Sequence, residues 1–470
     1  MKIKPLWLII TAISTILLWV NCKQNVITIP DEDIKVSGTT FVEASSQRTG
    51  DATKGYDYLV NGGYVSSGIP LNIFKFVYPT DPDDLGRTGD GKGIPYAYNA
   101  VTDANGFKMA SPNCLSCHAD KLNGQVIVGL GNTTADNTID RSVFLKQLDN
   151  VVQLQYPKGS AGWKAYEPFT RGFSTIAPYI RTQVQGVSSA DKVFAALSAY
   201  RKADDLSWLP TPQFNLAIPV VPTDVPAWWL MKKKNALYYN TSGHGDLAKQ
   251  IMATSLVTMV DSTEARKIEQ RFPDVLAFLK SVQAPKNPNP IDQTLVEKGK
   301  PLFAINCAKC HGRYDSPSTY PNLLVDLPTI GTDAAAANEY NKYPDYHTWY
   351  NGSWFSKGAF PSQLLPKQGY IAPPLDGIWA TAPYLHNGSV PTLDDLLNSS
   401  QRPKLWSRTF DNTADYDVVK IGWKYKIETT KVDIKTYDTS LYGYGNGGHY
   451  YGDKFTADER KAVIEYLKTL

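Results

Sequence analysis

Two pentapeptides of the same pattern, Cys114-Leu-Ser-Cys117-His118 and Cys307-Ala-Lys-Cys310-His311, lie in the two halves of this 470-residue chain. The pattern CxxCH is the attachment motif of c-type haem, in which both cysteines bond to the porphyrin edge and the histidine becomes an axial ligand of the iron. The two motifs use four of the five cysteines. We therefore predict two covalently bound haem c groups, haem one on His118 and haem two on His311.

A CxxC pair has two other uses, a thiol–disulfide redox pair and half of a zinc site. Both copies here carry the trailing histidine, which a redox pair does not need. The two pairs are also much too far apart in sequence for a compact zinc knuckle. Haem attachment is therefore the favoured interpretation, and thiol or metal chemistry is the alternative.

Residues 1–22 have the features of an export leader. A short basic start is followed by an apolar stretch, residues 6–20, that is too short to span a bilayer. Cys22 then stands where a lipoprotein signal is cleaved and lipidated. A plain secretory signal cleaved near Asn21 and an uncleaved anchor are the alternatives. In each case we expect an exported chain. With the lipoprotein signal, we expect it to be lipid-anchored through Cys22 on the periplasmic side of a bacterial membrane or at the outer membrane.

Charge and proline content set the domain organisation and exclude one class of partner. The chain has 48 basic and 45 acidic residues, a net charge of +3, so nucleic-acid binding has no electrostatic basis. Residues 23–50 are polar and aperiodic and are predicted to be a tether. The proline-rich stretch 283–290 predicts a linker between two haem domains, residues 51–284 and 291–470.

Periodicity in the remaining chain predicts helices joined by long loops. Residues 265–282 carry a helical apolar stripe interrupted by Pro273, and residues 457–470 form a closing helix that opens with a capping box at Thr456. The 28 tyrosines, with 34 glycines and 31 prolines, indicate ordered loops around a cofactor. Alternation in residues 423–430 predicts a hairpin. We expect a mainly α fold of two cytochrome c-like domains with long irregular loops and a small β-hairpin insertion.

The sixth ligand of haem two can be sought by elimination. No methionine follows the second pentapeptide, and the histidines there besides His311 are His347, His386 and His449. In small c-type cytochromes the sixth ligand shortly precedes the closing helix, a position that His449 occupies. Ligation by His311 and His449 would close both axial sites and make haem two an electron store. His386 is the second choice, and a loop histidine bonded to backbone is the alternative for His449.

One further stretch carries a family resemblance. Thr381-Ala-Pro-Tyr384-Leu-His386-Asn-Gly388 and the C-terminal HYYG…ERKAVIEYLKTL resemble di-haem cytochrome c peroxidases and their relatives. The N-terminal half lacks the FWDGR-type motif of the peroxidases. With residues 224–234 between its pentapeptides, the chain is there more similar to rubber-oxygenase-like di-haem proteins. The resemblance implies that haem two collects electrons, whereas haem one has the open site for peroxide or dioxygen.

Three residues are the candidate catalytic groups on this basis. His244 is the one histidine of the first half besides His118, and it is a candidate distal base or sixth ligand of haem one with Asp246 as its orienter. The alternative is a loop histidine, with Asp246 capping the helix that follows. Trp229, with Trp228, is a candidate conduit between the haems or an interface residue. His386 is expected at the inter-haem interface with Tyr384.

Two motifs have weaker interpretations. The lysines of residues 232–234 would lie near haem propionates or on a partner-docking face, although such a run is more often a solvated surface. The turn-rich residues 86–93 lack the oxygen spacing of a calcium loop, so calcium there is rejected and a site built from separate loops stays open.

Three functions fit these motifs. The first is an exported di-haem oxidoreductase of peroxidase type, with haem one reactive and haem two transferring electrons. The others are a rubber-oxygenase-like dioxygenase of an apolar substrate and a pure electron carrier. Partners would be a small redox protein or quinol-linked electron donor and peroxide or dioxygen, with membrane contact only through the N-terminal lipid anchor.

Overall fold

Helices and short strands alternate along the chain. The computed structural model describes residues 37–78, 85–411 and 414–470, so the predicted leader and Cys22 lie outside the described residues. The helices up to the proline-rich linker are α1 (Ala52–Asn61), α2 (Leu71–Val77), α3 (Leu115–His118), α4 (Ser142–Gln155), α5 (Ala161–Ile176), α6 (Ala190–Ala199), α7 (Leu247–Ile251), α8 (Ser262–Glu269) and α9 (Phe272–Ser281). Those after it are α10 (Gln293–Asn306), α11 (Ala308–His311), α12 (Leu327–Ile330), α13 (Ala335–Lys342), α14 (Asp345–Gly352), α15 (Leu393–Leu396) and α16 (Ala457–Leu467).

The strands are two to five residues long. They are β1 (Thr39–Phe41), β2 (Ile69–Pro70), β3 (Tyr98–Thr102), β4 (Lys108–Pro112), β5 (Ala119–Leu122), β6 (Gln125–Val128), β7 (Gly243–Gly245), β8 (Leu323–Asp326), β9 (Ser362–Leu364), β10 (Gly369–Ile371), β11 (Leu405–Ser407), β12 (Tyr416–Asp417), β13 (Gly422–Trp423), β14 (Lys426–Ile427) and β15 (Thr436–Asp438). Within the described chain they form antiparallel sheets in the orders β1-β8-β10, β14-β11-β15, β2-β4-β3, β12-β13, β5-β6 and β7-β9.

The prediction of a mainly α fold is wrong, because the structure is 38% helical and 14% strand and is therefore mixed α/β. Strands this short show too few alternations to be recognised in a sequence, where the signal needs four to eight residues. The alternation in residues 423–430 does not mark one strand, because Trp423 ends β13 and Lys426–Ile427 form β14, which pairs with β11. A small hairpin is present beside it, formed by β12 and β13.

In each half, a helix that precedes the pentapeptide in sequence packs closely against a helix that follows it much later. In the first, α1 lies on α9, and a Cβ at Gly55 would lie 1.9 Å from the carbonyl oxygen of Asp274. In the second, α10 lies on α16, and a Cβ at Gly299 would lie 1.9 Å from the carbonyl oxygen of Ala462. Only glycine lets the two backbones approach this closely. The two halves therefore repeat one helix arrangement.

The ends of these helices agree with the sequence pattern. Pro273 stands in the first turn of α9, so the helix predicted over 265–282 is divided into α8 and α9. The capping box is present, since Thr456 accepts from the backbone of Glu459 and the Glu459 carboxylate accepts from the backbone of Thr456. These local signals were sufficient to locate both C-terminal partners of the crossings.

Several segments of one half of the chain pack against the other half. The predicted tether covers residues 23–50, and its described part, residues 37–50, belongs to the fold, because β1 pairs with β8 and Arg48 forms a 2.7 Å ion pair with Asp246. Strand β7 pairs with β9, and the aromatic residues of α14 join the apolar core around the first pentapeptide. The described residues, 37–78, 85–411 and 414–470, lie in one compact unit. The division into two haem domains stays a prediction.

Candidate functional site

The second pentapeptide continues directly from α10. Cys307 follows the last residue of that helix, and His311 ends the short helix α11. Nδ1 of His311 lies 2.8 Å from the carbonyl oxygen of Pro373, a bond that makes Nδ1 the protonated nitrogen. Nε2 is then free to bind a metal, and the carbonyl fixes the orientation of the ring. Burial lowers the pKa of His311, so the ring is neutral, which is its ligating form.

A cavity of about 200 Å³ lies beside this histidine and is lined by Cys307, Cys310, His311 and His449. The ring centres of His311 and His449 are 6.1 Å apart. Two imidazoles bonded to one metal ion at about 2 Å have ring centres roughly 6 Å apart. The pair therefore has the separation of two axial ligands of one iron, and the residues fit haem c.

His449 is held by its loop. Its backbone is left-handed, with φ of 51°, and its N–H donates to the carbonyl of Ile330 at 2.8 Å. The guanidinium of Arg402 donates to several carbonyls around it, including those of Asn446 and Gly448, both at 2.7 Å. Nδ1 of His449 is buried without a partner, and burial lowers the pKa of the ring to about 3. The loop thus presents a neutral imidazole to the cavity.

The first pentapeptide has a similar surrounding. His118 ends α3, and its ring stacks on Trp228 with centres 5.0 Å apart and planes 25° apart. Burial lowers the pKa of His118 to about 4, and the carbonyl of Pro226 acts in the opposite direction. Nδ1 makes no complete hydrogen bond, so this carbonyl is a looser counterpart of Pro373. Each pentapeptide histidine therefore faces the carbonyl of a proline.

The first cavity measures about 280 Å³ and is lined by Cys114, Cys117 and His118. One part of its wall comes from α6, the loop before β7, and α7. That part carries polar side chains, Asp191, Tyr238 and Gln250, among apolar ones. Gln250 is 1% exposed and neither of its amide atoms has a complete hydrogen bond. An unpaired buried amide is costly, which is typical of a group that awaits a ligand.

The four cysteines are free and their environment does not favour the redox alternative. Burial raises the pKa of Cys114 to about 11 and that of Cys307 to about 12. Reactive redox cysteines have the opposite shift, because the thiolate is the nucleophile. Lys454 acts in the opposite direction on Cys307 and Lys309 on Cys310, but burial outweighs both. Thiols with raised pKa values that face a cavity agree better with covalent attachment of a cofactor.

The two cavities share a wall. The residues that line both are Asp224, Pro226, Ala227, Leu230, Lys234, Tyr239 and Tyr370. The hydroxyl of Tyr239 donates to Asp224 at 3.1 Å, and burial raises the pKa of Asp224 to about 8. Groups bound in the two cavities would thus be separated by little more than one layer of residues.

His386 lines the second cavity and not the first, and its predicted position between two haems stays a prediction. Its ring stacks on Tyr370 with centres 3.9 Å apart and planes 16° apart. Nε2 is buried without a partner, and burial lowers the pKa of the ring to about 3. The structure thus brings His386, His311 and His449 to one cavity, but the ring paired with His311 is that of His449.

The other two predicted catalytic residues do not line either cavity. Trp229 is fully buried in the core around the second pentapeptide and donates from Nε1 to the carbonyl of Asp376 at 2.8 Å. Its neighbour Trp228 belongs to the core around the first. His244 lies in β7. Asp246 caps α7, because its carboxylate accepts from the backbone N–H of Lys249, and it also forms an ion pair with Arg48. The predicted alternative, in which Asp246 caps the following helix, agrees with this arrangement, although His244 lies in a short strand and not in a loop.

Several groups of the site were missed from sequence. Pro373, Asp191 and Gln250 line the cavities, and Arg402 holds the loop of His449. They come from elements far from either pentapeptide, and no spacing rule connects them with it. Within the described chain, no group of three or more His, Cys, Asp or Glu side chains is arranged to hold a metal ion by itself. None of the described helices has the length and apolarity to cross a membrane.

Comparison with known proteins now adds a family. Residues 369–407 match the model of RoxA-like, cytochrome c-like domains. The match contains Pro373 and His386, and it implies a c-type haem oxidoreductase with covalently bound haem c. It falls in the stretch that the sequence likened to peroxidases, so it supports the rubber-oxygenase-like resemblance only in part, and in the C-terminal half where the sequence had placed that resemblance in the N-terminal half. The resemblance to peroxidases and the second haem stay predictions.

Two relatives come from Sinorhizobium fredii, and both are called uncharacterized proteins. The protein y4iM is 27% identical over 305 residues, which are 54% of this chain and 67% of y4iM. The protein y4iJ is 43% identical over 111 residues, which are 22% of this chain and 18% of y4iJ. Their names give no activity, so the function must be argued from the site.

Proposed function

We propose that this chain is a di-haem c-type oxidoreductase that reduces a peroxide at haem one with electrons passed through haem two. When bound, haem c supplies an iron that takes up small oxidants and exchanges single electrons. His118 would hold one haem, and His311 with His449 the other. The unequal lining of the two cavities is the observation that carries the proposal.

The second cavity supports a closed site. It has two histidine rings at the separation of axial ligands, and both are neutral because they are buried. Two strong nitrogen donors leave no position for an oxidant, and a fixed pair of ligands suits electron transfer. His311 is oriented by Pro373, and His449 by the loop that Arg402 holds.

The first cavity supports an open site. His118 is the one histidine in its lining, and Met231 is the one methionine. His244 is absent from that lining, which weakens the electron-carrier alternative that depends on it. Ligation by Met231 is then the competing outcome, and spectra distinguish it.

Polar side chains in the first cavity favour peroxide as the oxidant. Cleavage of an O–O bond needs a group that delivers a proton to the leaving oxygen. Burial raises the pKa of Asp191 to about 6, so this carboxyl exchanges a proton near neutral pH. Tyr340 donates to it at 3.4 Å, and the amide of Gln250 is available to orient an oxidant. Asp191 would hold the proton, and Gln250 would donate a hydrogen bond.

The second candidate function is oxygenation of an apolar substrate. The match of residues 369–407 to RoxA-like domains favours it. The apolar residues in the wall of the first cavity, Phe194, Leu237 and Ile251, also favour it. The two functions differ in what they consume, since the peroxidase needs an electron donor and the oxygenase needs dioxygen and an apolar chain.

Spectra of the purified, haem-loaded protein test the ligand states. We expect two haems per chain, one low-spin and one high-spin by electron paramagnetic resonance, with cyanide binding only the high-spin haem. Two low-spin haems that respond to neither cyanide nor peroxide would contradict both enzyme functions. Low-spin signals with a methionine-type near-infrared band would identify Met231 as a ligand.

Turnover distinguishes the two reactions. We expect peroxide-dependent oxidation of a reduced donor, and a tenfold to hundredfold lower rate in Asp191→Asn with unchanged spectra. The exposed Asp204→Asn is the matched control. Dioxygen uptake on adding a polyisoprene emulsion, with no donor oxidation, would favour the oxygenase. His244→Ala should leave either rate unchanged.

The proposal includes export and a lipid anchor on Cys22, with a small redox protein or a quinol-linked donor as the electron source. Haem c attachment outside the cytoplasm supports export. Radiolabelled fatty acid should enter the wild type and not Cys22→Ala. Labelling of neither protein would leave a plain secretory signal as the explanation.

A further inference from the structure

Three consecutive lysines follow the 3₁₀ turn Trp228–Leu230, and each has a different surrounding. Lys232 is exposed and donates to the side chain of Gln283 at 2.9 Å. Lys233 is half-buried, pairs with the carboxylate of Asp376 at 2.7 Å and lies over the ring of Tyr314. Two of the three ammonium groups are thus satisfied in ordinary ways.

Lys234 is the exception. It is half-buried and lines both cavities. Within the described residues no carboxylate pairs with it, and burial lowers its pKa to about 8. A cation removed from water without a partner is destabilising, so a position of this kind is typical of a binding site for an anion.

Asp224, the one acid among the described residues that line both cavities, already has a hydrogen-bond partner. Its carboxylate accepts from Tyr239, and no ion pair joins it to Lys234. Asp224 has a raised pKa, whereas an ammonium beside it would lower that pKa. The anion for Lys234 must therefore come from what the cavities hold.

We propose that Lys234 binds carboxylates from the contents of both cavities, the propionate side chains of haem one and haem two. This inference rests on the proposed function, which requires a haem in each cavity. A single ammonium has three donors and can bridge two carboxylates. Lys234 is thereby a positioning residue that links the two haems electrostatically. The other two lysines of the run bond to protein side chains instead.

The measurable consequence is a shift of reduction potential. A cation next to a haem stabilises the reduced form, which carries one more electron. Replacing Lys234 by glutamine should therefore lower both midpoint potentials, each by at least a tenfold change in the equilibrium constant, or about 59 mV for a one-electron couple. Lys234→Arg should retain potentials close to those of the wild type, because it keeps the charge.

Spectroelectrochemical titration of the haem-loaded proteins tests this, with Lys232→Gln as the matched control from the same run. The haem content of the wild type is first determined from the mass of the protein. One haem per chain in the wild type would contradict the proposed function and not this inference alone. Loss of haem from Lys234→Gln, with normal loading of Lys234→Arg and Lys232→Gln, would also support the need for charge. Normal loading of Lys234→Gln with neither or only one potential shifted would overturn the inference.

Discussion

The imidazole rings of His311 and His449 face each other across the second cavity, with centres 6.1 Å apart and planes 60° apart. They reach this position from opposite ends of the second half, one from α11 and one from the loop before α16. The helix crossing of α10 and α16 holds those ends together. Pairing of these two histidines is thus a consequence of the same close packing that Gly299 permits.

The first prediction concerns His449. We expect His449→Ala to convert haem two from a low-spin to a high-spin state, because one of its two nitrogen ligands is removed. Added imidazole should restore the low-spin spectrum. His386→Ala is the matched control, since His386 lines the same cavity but stacks on Tyr370. A high-spin spectrum in the control and not in His449→Ala would transfer the ligand role to His386.

The second prediction concerns Arg402, which donates to carbonyls of the His449 loop and to carbonyls of α15, and so joins the two. Arg402→Gln leaves several of these carbonyls unpaired and frees the loop. We expect a loss of about 2–4 kcal/mol in the free energy of unfolding and faster binding of carbon monoxide to reduced haem two. Arg460→Gln, which removes an ion pair with Asp394 at the adjacent surface, should leave carbon monoxide binding unchanged. Equal rates in both variants would argue against a role of Arg402 in holding the ligand.

Local signals predicted the parts of this site that depend on short stretches of chain. The pentapeptides, the position of His449 and the capping box of α16 are each contained within a few residues. Elimination selected His449 because no methionine follows the second pentapeptide, and the centre of its ring lies 6.1 Å from that of His311, whereas its role as an iron ligand stays a prediction. Such features are set by covalent chemistry or by neighbouring backbone, which a sequence records directly.

The remaining features depend on contacts between distant residues. Pro373 meets His311 across 62 positions of sequence. Strand β1 pairs with β8, so residues 37–50 are part of the fold and are not a free tether. Lys234 lines both cavities, whereas Lys232, two residues earlier, is exposed. No periodicity distinguishes these cases, because tertiary packing decides them.

The third prediction concerns Gly299. A methyl group there would lie 1.9 Å from the carbonyl oxygen of Ala462, so α10 and α16 would have to separate. We expect Gly299→Ala to lower the free energy of unfolding by about 1–3 kcal/mol or more, measured by denaturant titration. Gly352→Ala, at the end of α14 with no atom within 4 Å, is the control and should be neutral or slightly stabilising. Equal stability of both variants would show that the crossing can relax.

The last prediction uses pH. Glu339 on α13 is 8% exposed, and its pKa is raised to about 8 by burial and by Asp191, against an opposing effect of Lys192. Between about pH 4.5 and 8 the folded state therefore keeps a proton that the unfolded state has lost, so stability falls as pH rises, with an upper limit of about 1.4 kcal/mol per pH unit. Glu339→Gln removes this proton uptake, and we expect a shallower dependence of unfolding free energy on pH and a gain in stability at pH 8. Exposed Glu297→Gln is the control. An unchanged slope in Glu339→Gln would mean that the carboxyl is ionised in the folded protein.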